Sequence, residues 1–370
     1  MSIQWSRFYP FGKKVLIWLI FLLILYVLSD LFDLVFFTYI LAFITFRLSS
    51  LAVKHLKVSR AFAISILYLL LLVGIIGAGY LVIPRVFHEA RQFAKDLPHM
   101  ENNVMETIED LRGRYSELAP LLNEKVLREQ IETKMGNLRD GAIEALPHFI
   151  KGTLQILTKI ILAIIFSFLI VIDLARLSQE MKRLRATRLH DFFQETAMPV
   201  VRFAQVVGRA FEAQTLIACL NTTFTVLGMM MLGIPKVALL GIVVFVFSFV
   251  PVLGVFISSA PILLVAFNAG GPWLAFAGVV MIILVHTIEA YVLNPRIYAH
   301  HMKMNPILTL IVLFLGHHLF GIWGVLLAVP VTFYFLTHIA GLRAQLLKEA
   351  EAQSSEETMD SPPTGDVRPE

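Results

Sequence analysis

PKVALLGIVVFVFSFVPVLGVFISSAP, residues 235–261, is an apolar stretch that begins and ends on proline and is interrupted in its middle by Pro251 and Gly254. A second stretch, PILTLIVLFLGHHLFGIWGVLLAVP at 306–330, repeats the layout with Gly321, Gly324 and Pro330. The spacings between bounding prolines are 26 and 24 residues. The apolar run 237–267 is 31 residues long, about 46 Å as one straight helix against a hydrocarbon core of about 30 Å. One simple span is therefore excluded. Broken at 250–254, the run becomes two helices of about 14 residues, each near 20 Å, which enter and leave on the same face. The same reading applies to 306–340, broken near 316–324.

Working outward, the 370 residues are 57% hydrophobic and only 16% charged, against about half and a quarter in ordinary soluble domains. Further apolar runs at 15–28, 61–83, 154–172, 216–232 and 273–285 meet or approach the roughly 20 residues a crossing helix needs. Only helices satisfy their own backbone groups there in an open chain of this kind, so the fold class is an all-α polytopic membrane protein. The lone cysteine, Cys219, lies inside an apolar run and reports nothing about redox compartment. The first run follows Arg7, Lys13 and Lys14 but has no small-residue cleavage site at Ser29-Asp30-Leu31, so it reads as a retained span.

Charge sets the topology. Residues 1–14 and 47–60 carry basic side chains and no acidic ones, as do short cytoplasmic loops. The loop after 172 carries Arg176, Lys182, Arg183, Arg185 and Arg188. If 237–267 and 306–340 are re-entrant hairpins, Arg296, Lys303, Arg343 and Lys348 also lie inside, as the rule prefers; eight full spans would place Arg296 and Lys303 outside. The favoured plan is six spans plus two hairpins, with eight spans as the alternative. Both termini are then cytoplasmic, in a bacterial inner membrane. The net charge of +4 belongs to these loops and implies no nucleic acid.

The expected organisation is an N-terminal membrane part at 1–84, a polar insert at 85–151, a span with basic loop and amphipathic helix at 152–210, and a transport core at 211–342. The acidic tail 343–370 has too few apolar residues to bury. The insert carries nine basic and twelve acidic residues between 85 and 150, and reads as a small extracytoplasmic helical subdomain. Its helices are expected to divide at Pro98, Pro120 and Pro147, and the preceding span to end at Pro84. Residues 191–209 read as an amphipathic helix along the inner surface. The core unit 211–232 plus 237–267, followed by 273–292 plus 306–340, forms an inverted repeat, which places a binding site near the membrane midplane. The bland alternative is that these prolines and glycines only kink long helices.

At these residues the chain resembles the autoinducer-2 exporter family of bacterial membrane permeases. The resemblance is carried by Leu232-Gly233-Ile234-Pro235, Phe249-Val250-Pro251-Val252-Leu253-Gly254, Leu293-Asn294-Pro295-Arg296-Ile297, Asn305-Pro306-Ile307 and Gly321-Ile322-Trp323-Gly324 through Pro330. It departs from the family at Val252, where an aromatic is usual. The resemblance implies a secondary transporter, either an exporter of the furanosyl signal autoinducer-2 or a sodium–proton antiporter.

Candidate residues follow. His286 and Glu289, three apart, share a helix face and are candidates for proton or cation coupling; an interfacial pair anchoring a helix end is the alternative. His317 and His318 are expected at the break of the second hairpin, where irregular backbone needs a wet cavity, and rank above His300 and His301 as pathway residues. Gln214, Asn221, Thr222 and Thr223 offer amides and hydroxyls to a polar solute or to neighbouring helices. Pro251, Gly254, Pro261, Gly321, Gly324 and Pro330 complete the expected pathway. The pattern contains no His-Glu-x-x-His element and no phosphate-cradling glycine loop, so no metal, cofactor or enzymatic activity is expected. The expected partners are membrane lipid and a small polar solute or cation. Gly74, Gly77 and Ala78 would permit close approach of a second copy. A non-transporting scaffold is the remaining alternative, and it leaves the broken stretches without purpose.

Overall fold

A computed structural model describes residues 5–114, 155–184, 190–298 and 305–339, with the isolated residues 133, 136 and 152. Pro120, Pro147, His300, His301 and the acidic tail lie outside them. The described residues are helical and contain six helices long and apolar enough to cross a membrane, so the chain is an all-α polytopic membrane protein. In chain order the α-helices of the described residues are α1 (Trp5–Val27), α2 (Phe32–Leu56), α3 (Arg60–Arg114), α4 (Gln155–Ile172), α5 (Leu174–Leu184), α6 (His190–Leu232), α7 (Val237–Phe247), α8 (Leu253–Ile288), α9 (Asn294–Tyr298) and α10 (Pro306–Tyr334). The helices form two compact units, the first ending at His300 and the second beginning at His301.

Two of these helices reverse direction. The 41 residues Leu253–Leu293 would run about 60 Å if straight. Gly270 and Gly271 depart from helical geometry, with Gly271 at φ 66°. A Cβ on Gly278 would sit 3.3 Å from Leu263 and 3.8 Å from the Ala266 methyl, so the arm 272–288 packs back along the arm 253–269. In the second unit α10 turns at Gly321, where φ is 57°. A Cβ on Gly324 would lie 1.8 Å from the Gly316 carbonyl oxygen, although eight helical residues span about 12 Å. The arms 306–320 and 322–334 therefore cross backbone against backbone. Asn305 starts this helix by accepting the Ile307 N–H at 2.9 Å, with Pro306 at the first helical position, where its missing N–H costs nothing.

The core of the first unit joins Leu97 and Met100 of α3, Met229 of α6, Leu240 and Val244 of α7, and Ile262, Val265, Ala266 and Met281 of α8. Between membrane helices the lipid tails are as apolar as leucine, so close packing decides association. Small residues supply it: added Cβ atoms on Gly208, Gly228 and Gly241 would strike Phe43, Met281 and Val226 within 3 Å. A second cluster joins Ile64 and Tyr68 of α3 to Ile164 and Val171 of α4.

Three expectations are corrected. Helix α3 passes through both Pro84 and Pro98 for 55 residues. Proline removes one backbone bond and adds a clash, but Leu97 and Met100 beside Pro98 are 1% and 0% exposed, and this packing carries the helix across. Helix α6 is likewise one 43-residue helix containing Pro199, in place of a surface helix at 191–209 followed by a span. Its first half is held on α1 and α2 by Lys14–Glu195 at 2.9 Å, Arg47–Glu212 at 2.6 Å and the Tyr39 hydroxyl donating to the Ala204 carbonyl. His317 and His318, expected to interrupt the helix, keep regular helical geometry on exposed faces of the arm that ends at Gly321.

Candidate functional site

The site starts with the interruption between α7 and α8. Helix α7 ends at Phe247, and the Ser248 N–H still bonds Val244 at 2.8 Å, before the chain tightens around Pro251. Pro251 has no N–H to continue a helix. Its carbonyl accepts the Leu253 N–H at 2.7 Å, which closes a three-residue turn on Val252 at φ 66°, ψ −59°. That conformation is rare and strained for a β-branched residue. Gly254 follows because nothing larger fits: a Cβ there would meet the Phe247 carbonyl oxygen at 2.0 Å.

Around this turn lies a cavity of about 180 Å³, lined by Gln214 and Asn221 of α6, residues of the break including Ser248, Pro251 and Val252, Gly254, Val255 and Ser258 of α8, and His286, Glu289 and Asn294. Gln214 and Asn221 are seven residues apart on α6, two helical turns, and so face the same way. Gln214 donates to the Ser248 carbonyl, and Asn221 Nδ2 donates to Ser248 Oγ at 3.2 Å. Ser248 Oγ in turn donates to the Val244 carbonyl at 2.7 Å. The polar face of α6 thus satisfies backbone and side-chain groups that the broken helix leaves open.

At its far end α8 passes at Glu289 into a π-helical turn, Glu289–Leu293. Such turns redirect side chains and occur often at functional sites. Here it leaves His286 Nδ1 and Glu289 Oε2 3.0 Å apart, both side chains partly buried. With Glu289 ionised, the His286 N–H donates to the carboxylate. A carboxylate, an imidazole and several amide and hydroxyl groups facing one small space can hold a cation, exchange a proton, or hydrogen-bond a polar solute.

Of the sequence candidates, Gln214, Asn221, Pro251, Gly254, His286 and Glu289 line this cavity. Pro261 lies farther along α8, outside the lining. His317, His318, Gly321, Gly324 and Pro330 belong to the second unit, where Gly321 makes the turn, Gly324 the close crossing, and Pro330 is buried within the returning arm. Thr223 bonds its own helix through the Cys219 carbonyl, and Thr222 Oγ1 is buried outside the lining. Ser248, Ser258 and Asn294 were missed. The serines sit in apolar runs with nothing to mark them, and only Asn294, within the Asn-Pro-Arg motif, carried a usable signal. Among the described residues no three His, Cys, Asp or Glu side chains converge as metal ligands.

The polar extension of α3 also reaches this part of the molecule. Lys236, left-handed at φ 60° and with a side chain only 8% exposed, pairs with Asp96 at 2.8 Å. Glu89 accepts the Leu239 N–H at 2.7 Å and caps the first turn of α7, which has no side-chain cap of its own. Asn103 Nδ2 donates to Asn268 at 2.7 Å near the Gly270 turn. Three contacts therefore clasp α3 to the two turns that bound α7 and the first arm of α8.

The family described as AI-2E family transporter matches residues 15–343, nearly the whole chain and all of the cavity. The chain belongs to this family. It is a membrane transporter by that membership. Among similar proteins, YdbI of Bacillus subtilis, whose name assigns it to transport, is 26% identical over 339 residues, covering 90% of this chain and 92% of its own. A sodium-lithium/proton antiporter of Halobacillus andaensis is 23% identical, over 84% of this chain and 91% of its own. A Thermotoga maritima protein, also named for transport, is 29% identical over 49% of this chain and 58% of its own.

Proposed function

We propose that this chain is a secondary transporter that exports a small polar solute, with autoinducer-2 as the candidate cargo, through the cavity between α6, α7 and α8. The observation that carries this reading is the meeting of six sequence-selected residues around one space of about 180 Å³: Gln214 and Asn221 from α6, Pro251 and Gly254 from the broken helix, and His286 and Glu289 from the end of α8. A cavity of roughly 150 Å³ admits a benzene ring, so the space suits a furanosyl ring whose hydroxyls replace water on Asn221, Ser248 and Glu289. The interruption between α7 and α8 supports a re-entrant hairpin at 237–267, and the returning arm of α10 supports one at 306–340. The basic loops support cytoplasmic termini and an inner-membrane location. His286 and Glu289 would couple transport to a proton.

A second reading, exchange of sodium for protons, is favoured by the His286–Glu289 pair, 3.0 Å apart, and by similarity to the Halobacillus antiporter. Flux into vesicles containing the purified chain tests both. With autoinducer-2 as cargo, Asn221→Leu and Glu289→Gln should each lower solute flux about tenfold or more, as loss of a charge-assisted or buried hydrogen bond does. Sodium-driven proton movement without solute flux, lost in Glu289→Gln, would select the second reading. Unchanged fluxes of both kinds in both variants would remove the cavity from transport.

A further inference from the structure

Helix α5 (Leu174–Leu184, LARLSQEMKRL) begins two residues after the membrane helix α4 ends at Ile172, across a turn at Asp173. Nothing in the transport reading uses it. Leu174, Leu177 and Met181 follow one another at intervals of three and four, which places them within an arc of about 60°. Arg176 and Arg183 fall on the opposite side, and Lys182 on its flank. A helix this polar is not stabilised by its own propensity over 11 residues, and its apolar face needs a cover. Among the described residues none covers it: residues 175–183 are all exposed, with Leu177 at 41% and Met181 at 48%. Glu180 is the helix's one acid and sits 3.5 Å from Arg183, so the helix keeps a net positive face.

From this arrangement we infer that α5 is an interfacial helix that binds the anionic phospholipid headgroups of the membrane its own span crosses. Two observations select lipid over a protein partner. The helix starts two residues after the end of a crossing helix, so its first turn is at the level of the headgroup–acyl boundary. Its exposed charges are basic, long-stemmed and set opposite and beside the apolar stripe, so they reach up to phosphate while Leu177 and Met181 enter the acyl region. The assignment holds whichever cargo the cavity carries.

The test uses the full chain with Cys219→Ala and either Leu177→Cys or Gln179→Cys, labelled with an environment-sensitive fluorophore. Each labelled protein is reconstituted into vesicles of phosphatidylcholine alone or mixed with phosphatidylglycerol. In the mixed vesicles the label at 177 should shift to the blue and be quenched about twofold or more by lipids carrying a nitroxide near the headgroup, while the label at 179 stays wet. The contrast should shrink in phosphatidylcholine alone and in the combined Arg176→Gln, Lys182→Gln, Arg183→Gln variant. Equal emission at 177 and 179 would overturn the proposal. So would a contrast indifferent to lipid charge, or burial at 177 that persists in detergent and rises with protein concentration, which would assign the face to a second copy.

Discussion

Gly254→Ala is the most demanding perturbation of the site, because its cost follows from one distance. A methyl built on Gly254 lies 2.0 Å from the Phe247 carbonyl oxygen and 2.8 Å from its carbon, whereas carbon–oxygen contacts settle at about 3.3–3.6 Å. The backbone must therefore open by about 1.3 Å or more. The obstacle is main chain, so no side-chain rotation relieves it. Moving the end of α7 away would also strain the Pro251–Leu253 bond of 2.7 Å and the Gln214 and Asn221 contacts to Ser248. Overpacking costs about 1–3 kcal/mol where side chains can adjust; here we expect the upper end, about 3 kcal/mol or more. Gly74→Ala is the matched control, since a methyl there meets nothing within 4 Å and replaces glycine in a helix interior, for a gain of up to about 1 kcal/mol. Gly324→Ala, 1.8 Å from the Gly316 oxygen, should behave like Gly254→Ala. The assay is thermal unfolding of the purified protein in one detergent, followed by flux in vesicles. Gly254→Ala with the melting temperature and flux of the unaltered chain would refute the close approach on which the broken helix depends.

Two further outcomes concern the clasp and the topology. Asp96→Asn should destabilise the chain by about 1–3 kcal/mol, because it leaves the nearly buried Lys236 ammonium without its counter-charge, while the double change Asp96→Asn with Lys236→Met should recover part of that loss in the same melting experiment; simple additivity would show that the pair is not coupled. A cysteine introduced by Lys303→Cys in the Cys219→Ala chain should resist an impermeant thiol reagent applied to intact cells, and ready labelling from outside would overturn the two-hairpin topology.

The break was legible because Pro251 and Gly254 lie three residues apart and together impose two local requirements, a missing donor and a missing Cβ, where a lone proline imposes one. Its observed limits, Phe247 and Leu253, fall within a few residues of the expected ones. The reversal in α10 was legible for the same reason, though only Gly321 leaves helical geometry and the adjacent histidines do not. Pro84 and Pro98 misled because a proline's penalty inside a helix is a few kcal/mol, and packing such as that of Leu97 and Met100 against residues of α6, α7 and α8, distant in sequence, offsets it. His286 and Glu289 could be paired from their spacing. Ser248 and Ser258 could not be separated from serines such as Ser259, which bonds back to Val255 at 2.6 Å without lining the cavity. Glu89 as a cap for α7 is 150 residues from the N–H it serves, and no local pattern marks it.

The claim that the cavity is the route of transport is tested most directly by filling it. Ser258 is buried against the cavity, while its neighbour Ser259 is not part of the lining. In the Cys219→Ala chain reconstituted in vesicles, complete modification of Ser258→Cys by a small polar thiol reagent should stop flux and be slowed by the transported species, whereas modification of Ser259→Cys should leave flux intact. Full flux through chains whose Ser258→Cys side chain is quantitatively modified would contradict the account.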